Sequence, residues 1–222
     1  MKKRFVLLTQ VNTQLTSSNL QSQGRLDIVL HSIITALFIS HTFRDDTTLE
    51  IICMGPPLKP RRISISYHQN QTISKKNLKK VIEIALKKCK SMQDIEVHPG
   101  VFVKEIETQS YIEDEFLDND QKVCFVLDGY GTHISTYRNQ LSSLLNNNSL
   151  DGGEEVVFFL GDHEGISTKL RKKLKKSCYR LSLGNKIYFT SQVCTILHYE
   201  LDSLSYLLSQ KNDEIKYDEE EE

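Results

Sequence analysis

No stretch of this 222-residue chain approaches the roughly 20 apolar residues that a membrane-spanning helix needs. No transmembrane segment is therefore expected. The opening MKKRFVLLTQVN carries the cations of a secretory leader, but its apolar part, FVLL, is too short. No small-residue cleavage site follows it. The five cysteines (Cys53, Cys89, Cys124, Cys178 and Cys194) are odd in number and scattered, and none forms a C-x-x-C pair. That speaks against a structural zinc site and a disulfide framework, and predicts reduced thiols in a cytoplasmic protein with no metal. A phosphate-cradling G-x-x-x-x-G-K-[ST] loop is missing. GYGTHI (129–134) begins like a dinucleotide fingerprint, but Ile134 stands where the third glycine belongs. Neither a nucleophile elbow nor H-E-x-x-H occurs, which excludes the hydrolases built on them. No internal repeat is present.

The composition is that of an ordinary globular domain, 26% charged and 39% hydrophobic, and long enough to bury a sizeable core. One domain over residues 1–210 is expected, followed by a tail. The overall charge of −1 conceals an uneven distribution. Residues 211–222, KNDEIKYDEEEE, hold seven acids and two lysines, leaving a net +4 on the rest. So little apolar surface predicts a disordered tail. The cations cluster in KPRR (59–62), in SKKNLKKVIEIALKKCK (74–90) with seven lysines, and in KLRKKLKK (169–176) with six cations. Such runs are solvated helix faces or an electrostatic footprint for an anionic partner.

Strands and helices alternate along the chain. Strands are predicted at 4–10, 49–54, 61–67 (an edge strand or hairpin), 100–106, 122–128, 156–160 and 178–184. Helices are predicted at 25–40, 74–90, 134–145, 166–176 and from about 191 onward. The helix at 25–40 has apolar residues at 26, 29, 30, 33, 34, 37 and 38, a wide buried face. This alternation indicates an α/β domain with a mostly parallel sheet, whose ligands bind beyond the carboxyl ends of the strands. Three glycine loops open there: DGYGTH after 127, GDHEG after 160 and GNKIYFTS after 183. Glycine lets a ligand approach the main chain closely.

Several side chains are open to two readings. Asp162, His163 and His198 have the chemistry of metal ligands or of a base with its orienter, yet each also suits a loop or core role. Cys194 and His198 share one helical face and are equally compatible with simple packing. Arg25 and Asp27 open the first long helix. Asp27 there gains from the helix dipole, and the pair also has the makings of a guanidinium that grips a phosphate or base beside a proton-accepting carboxylate.

Taken together, GRLD (24–27), FVLDGYG (125–131), FFLGDHEG (158–165), RLSLG (180–184) and VCTILHYELD (193–202) resemble the TrmY family. Its members are the archaeal tRNA pseudouridine-54 N1-methyltransferases and related bacterial proteins, within the SPOUT methyltransferase class. The likeness extends over residues 4 to about 208. It implies a SPOUT-type α/β knot, with the C-terminal segments threaded through an earlier loop as a trefoil, and a homodimer. It also implies S-adenosylmethionine as cofactor and tRNA as substrate. By position, the cofactor-binding residues are Leu127, Gly161, Gly184, Asn185, Lys186, Ile187, Tyr188, Phe189 and Cys194. Asn185 stands where the family usually has proline, and NNNSLDGGEE (146–155) lengthens the loop before Val156.

Methyl transfer from a sulfonium is an in-line displacement, so alignment and exclusion of water matter more than a metal. N1 of pseudouridine must lose its proton to become a good nucleophile. Arg25 and Asp27 are the candidates for promoting this, as anion stabiliser and base, reaching the site across a dimer. Two classes of function are compatible with the sequence: an RNA methyltransferase, and a knotted RNA-binding dimer that keeps the scaffold without the activity.

Overall fold

The computed structural model describes residues 1–15, 20–70, 73–146, 154–162, 164 and 166–220, without the side chains of 146 and 211–220. His163, Gly165 and most of the 146–155 insertion lie outside the described residues. Eight strands form one sheet: β1 (Lys2–Asn12), β2 (Thr47–Gly55), β3 (Arg61–Ser66), β4 (Ile95–His98), β5 (Val101–Glu105), β6 (Lys122–His133), β7 (Glu155–Gly161) and β8 (Tyr179–Ser182). Their order is β4-β5-β3-β2-β1-β7-β6-β8. The pairings from β2 through β1, β7 and β6 to β8 are all parallel. Those linking β2, β3, β5 and β4 are antiparallel. The fold is thus mixed α/β with a mostly parallel sheet. The 61–67 segment forms the hairpin alternative, lying between β2 and β5 and not at an edge.

Period-2 alternation decides which core each side chain enters. On β1, Phe5 and Leu7 face one side while Val6 and Leu8 face the other, and all four are fully buried. β7 repeats the pattern with Phe158 and Leu160 opposite Val157 and Phe159. Burial on both faces is the expected state of central parallel strands with helices above and below. Against the first face pack α1 (Leu26–Leu37), α2 (Leu78–Lys88), α4 (Arg138–Asn146) and α6 (Thr190–Glu220). Against the second pack α3 (Thr108–Ile112), the π-helical turn Glu113–Leu117 that extends it, and α5 (Thr168–Ser177).

The helix at 108–117 occupies an acidic stretch that charge alone would leave between strands. Ile112 and Phe116 bury themselves on β6 and β7, and Phe116 meets Phe159 edge-on at 5.4 Å between ring centres. The backbone of α6 runs on as helix to Glu220, into the acidic segment. A helix already nucleated by a packed first half needs no new nucleus, and its Glu and Lys are good helix formers.

His198 ties α6 to α1. Its Nε2 bonds to the Ala36 carbonyl at 2.8 Å, and its ring lies 4.9 Å from that of Phe5. It is a core residue, the structural role among its two sequence readings. Burial, and then the cation of Arg44, push its pKa down to about 4. The folded protein therefore holds a neutral imidazole where the unfolded chain binds a proton. Unfolding free energy should fall as pH drops from about 6.5, the unfolded value, towards 4. His198→Gln, which can still donate to Ala36, should flatten that slope, as denaturant titrations at a series of pH values would show.

Candidate active site

The carboxyl ends of β6, β7 and β8 meet the start of α6 around a cavity of about 230 Å³. The geometry begins with an irregularity in β6. Leu127 pairs with Leu181 of β8, the chain then leaves the ladder, and Thr132 pairs with the same Leu181. The excursion 128–131 folds against the β8 backbone. Arg180 fastens it, its Nε donating to Asp128 Oδ2 at 2.8 Å and its Nη2 to the Tyr130 carbonyl at 3.1 Å. Gly131 is needed for the fit, since a Cβ there would sit 2.6 Å from the Arg180 carbonyl oxygen. Lys175 adds a second cation 2.8 Å from Asp128. Burial alone would raise the Asp128 carboxyl, but the hydrogen bonds from Lys175 and Arg180 outweigh it and hold the group below the usual carboxylate range.

Side-chain bonds also brace the other two loops. The Ser182 hydroxyl accepts from Gly184 N at 3.1 Å and points at the Gly184 and Gly129 carbonyls, 3.2 and 3.4 Å away. One short side chain thus joins the 129 and 184 loops, with Gly184 at φ +107, where a Cβ would be strained. Thr190 Oγ1 donates to the Gly161 carbonyl at 2.7 Å and pins the start of α6 to the end of β7. Asp162 accepts from Gln10 N at 2.8 Å and from Glu164 N at 2.9 Å, so its carboxylate shapes the loop.

The three glycine loops therefore line one cleft. Leu127, Gly161, Gly184, Lys186, Ile187 and Tyr188 are in its wall. Asn185 and Phe189 lie in the same loop but not in the wall, and Phe189 is exposed. Cys194 is not in the wall but fully buried in the core beside Thr35 of α1, and burial pushes its thiol up to about 12. Asp128 and Gly129 belong to the DGYGTH loop singled out from the sequence, whereas Ser182 and Thr190 are wall residues that were not named as site residues. A serine just before Leu-Gly and a threonine opening a helix were the available signals. Leu127, Leu160, Ile166, Leu181 and Val193 supply apolar surface, while Asp128, Asp162, Arg171 and Lys186 bring both signs of charge. A Cβ added at Gly129 meets nothing within 4 Å, so the main chain there faces open space. A pocket with an apolar wall, open main chain and a few charged groups fits a polar cofactor with a flat ring and a charged end.

Arg25 and Asp27 come together, but not in this wall. Arg25 sits at the start of α1 with φ +60, the one non-glycine residue in a left-handed conformation among the described residues. Its Nε and Nη2 bind the two Asp27 oxygens at 3.0 and 2.9 Å. The bidentate bond from Arg25 holds Asp27 below the usual carboxylate range, which makes it a weak base in this arrangement. Among the described residues no group of His, Cys, Asp and Glu is placed to hold a metal ion, and no helix is long and apolar enough to cross a membrane.

Residues 3–206 match the model of a family described as "Putative SAM-dependent RNA methyltransferase". Among relatives, the tRNA (pseudouridine(54)-N(1))-methyltransferase of Pyrococcus abyssi is 26% identical over 195 residues, covering 82% of this chain and 87% of its own. The enzyme of the same name from Methanococcus aeolicus is 27% identical over 184 residues, covering 82% and 86%. The crystal structure of Archaeoglobus fulgidus Nep1 bound to S-adenosylhomocysteine shares the fold, with a TM-score of 0.61 at 13% identity over 92% of this chain and 99% of that one. With the family model spanning nearly the whole chain, this protein belongs to the SAM-dependent RNA methyltransferase family.

Proposed function

We propose that the protein transfers a methyl group from S-adenosylmethionine to N1 of pseudouridine in the T-loop of tRNA. The observation that carries this reading is the cleft lined by residues 127–129, by Gly161 and Asp162, and by Gly184 and residues 186–188, in a chain of this family. When bound, S-adenosylmethionine supplies an electrophilic methyl on a sulfonium. Leu127, Gly161, Gly184, Lys186, Ile187 and Tyr188 would hold it directly. Asn185 and Phe189 would contribute through the loop's main chain, and Cys194 by fixing α6 in the core next to the wall residue Val193. The apolar wall keeps water from the methyl, and the braced loops hold it in line with the attacking nitrogen.

The same reading includes a trefoil knot, with β8 and α6 passed through the segment before them. The double pairing of Leu181 and the 128–131 excursion across β8 support it. It also includes a homodimer. Ile187 and Phe189 beside the cleft, and Tyr199, Tyr206 and Leu207 on α6, are large apolar side chains left exposed. Because Arg25 is not in the wall of its own cleft, we assign it to the partner's. There its guanidinium would stabilise the anion left when N1 loses its proton, and Asp27 would position Arg25. Residues 1–210 would act as one domain in the cytoplasm, in keeping with five free thiols.

Gly129→Leu should leave the fold intact, since a side chain there meets no protein atom at its base, yet weaken cofactor binding at least about tenfold by filling the cleft. Calorimetric titration with S-adenosylmethionine beside a thermal melt would check both halves. Unchanged binding would remove this cleft as the cofactor site.

Arg25→Ala should lower turnover roughly a hundredfold, as expected for loss of one anion-stabilising donor, with little effect on cofactor affinity. The deficit should shrink as pH rises and the nucleoside ionises unaided. An equimolar mixture of Arg25→Ala and Gly129→Leu chains should recover about a quarter of wild-type activity, because half the dimers then hold one complete site. No recovery would place Arg25 and cleft in one chain. The substrate itself is tested with transcripts containing pseudouridine or uridine at the target position. Uridine has no free N1–H, so labelling both equally would reject N1 of pseudouridine as the acceptor.

A further inference from the structure

A second cavity, of about 780 Å³, opens between α2, the start of β3 and the chain after β1. Its wall holds Arg61, Lys79, Lys87 and Lys90 against a single carboxylate, Glu83, with Leu15, Leu58 and Leu86 as apolar surface. Glu83 faces Lys79 at 3.6 Å on the same helix. Lys87 and Lys90 are exposed and have no ion pair among the described residues. Part of this charge has a local use, since Lys87 in the last turn of α2 complements the negative end of the helix dipole. That account does not extend to Lys90, past the helix end, or to Arg61, which comes from another element.

Arg61 makes the cavity a built one. Its guanidinium is buried, and Nη1 donates to the carbonyls of Thr13 and Leu86, bracing the chain after β1 against the end of α2. Its Nε has no partner among the described residues, and Glu105 is as far as 4.0 Å from Nη2. A fixed, poorly compensated cation therefore stands in the wall, with two solvated lysines at the rim.

The position of the cavity says which anion it fits. Arg61 is paired with Cys53 at the end of β2, so the cavity lies along the same sheet edge as the cofactor cleft. Between β3 and β6 there are four strand spacings, or about 19 Å at roughly 4.8 Å each. A small free anion has no reason to be placed in line with a methyl-transfer cleft. A polyanion laid along that edge meets both. We propose that this cavity is a backbone-phosphate subsite for the RNA, holding a segment several nucleotides from the base that receives the methyl group. Of the three basic stretches in the sequence, 59–62 and 74–90 converge here.

The inference rests on the RNA methyltransferase reading above. It is tested by fluorescence anisotropy with a tRNA transcript, using the full-length chain. Lys87→Glu/Lys90→Glu should weaken binding at least about tenfold and reduce the slope of log affinity against log salt by about 1.8, roughly 0.9 for each phosphate no longer neutralised. Lys90→Glu alone should weaken it several-fold. Lys2→Glu makes the same change of charge at the opposite end of β1 and should have less than about a twofold effect, as for a surface charge away from the RNA. Methylation at saturating tRNA, and S-adenosylmethionine affinity, should stay at wild-type levels in all three. Equal losses for Lys90→Glu and Lys2→Glu would reduce the effect to overall charge and overturn the subsite. Wild-type tRNA binding and methylation unaffected by the double variant would overturn the subsite alone. A wild-type protein that binds the cofactor but no tRNA would overturn the tRNA reading as well.

Discussion

β8 is four residues long and lies at the end of the sheet, where a strand has a neighbour on one side only. Such a strand is a weak place from which to suspend anything. Here Leu181 is held by β6 on both sides of an excursion, at Leu127 and at Thr132, and Arg180 and Ser182 are bonded to that excursion. β8 is thereby clasped and not merely edged. Moving it by one residue would turn Leu181 out of the core and drive the Gly131 backbone into a new neighbour. The Gly184 loop and the start of α6 follow directly from this clasp, and Thr190 then closes them onto β7. The geometry of the cleft is set by the strand that anchors its least regular wall.

On the sheet's second face, a different constraint fixes the strands that carry the clasp. Glu50 on β2 is wholly buried, with Arg4 Nη1 at 2.6 Å, Arg62 Nη2 at 3.5 Å and the Tyr111 hydroxyl donating at 2.7 Å. Arg4 also reaches Glu155 on β7, and Lys122 on β6 bridges Glu115 and Glu155. Burial works against the charge of Arg4, and the surrounding carboxylates more than restore it. Such a cluster adds little net stability over apolar packing, but removing one member strands a buried charge at a cost of about 3 kcal/mol or more. Its members come from β1, β2, β3, β6 and β7, so it penalises any relative slip among them.

Much of this was legible from residue order, and the illegible parts have definite causes. Central strands such as 156–160 declare themselves because burial on both faces needs continuous apolar residues. The glycine loops declare themselves because a main chain near a ligand needs residues without side chains. β4 did not, since four residues, IEVH, give too short a period to read. The helix at 108–117 did not, because its anchors Ile112 and Phe116 are outnumbered by Glu113, Asp114 and Glu115, two of which are held by cations from other elements. Ser182 and Thr190 are common residues whose importance lies in which carbonyl they reach, a tertiary fact. Arg25 is the clearest case. Sequence places it correctly at a helix start, but nothing in the letters announces a left-handed arginine locked to Asp27.

That pair also changes how the chemistry divides over the molecule. A carboxylate already claimed by a guanidinium through two bonds is a poor proton acceptor, so a simple base at Asp27 does not follow from the geometry. A pre-oriented guanidinium is well suited to stabilising an anion, and it needs no reorganisation at the moment of reaction. The strain of φ +60 at a non-glycine residue belongs with this, because such conformations persist only where the surroundings over-determine them. On this reading β6, β7, β8 and the start of α6 hold the methyl donor. The cavity at β3 and α2 would hold the RNA backbone, and Arg25 would act on the acceptor nitrogen from the neighbouring chain, as proposed above. The parallel strand ends place the first two on a common edge, and Gly24, packed on the Gln10 and Val11 backbone, sets Arg25 near that edge but outside the cleft wall. In the proposed dimer a second copy would bring its Arg25 guanidinium to the cleft.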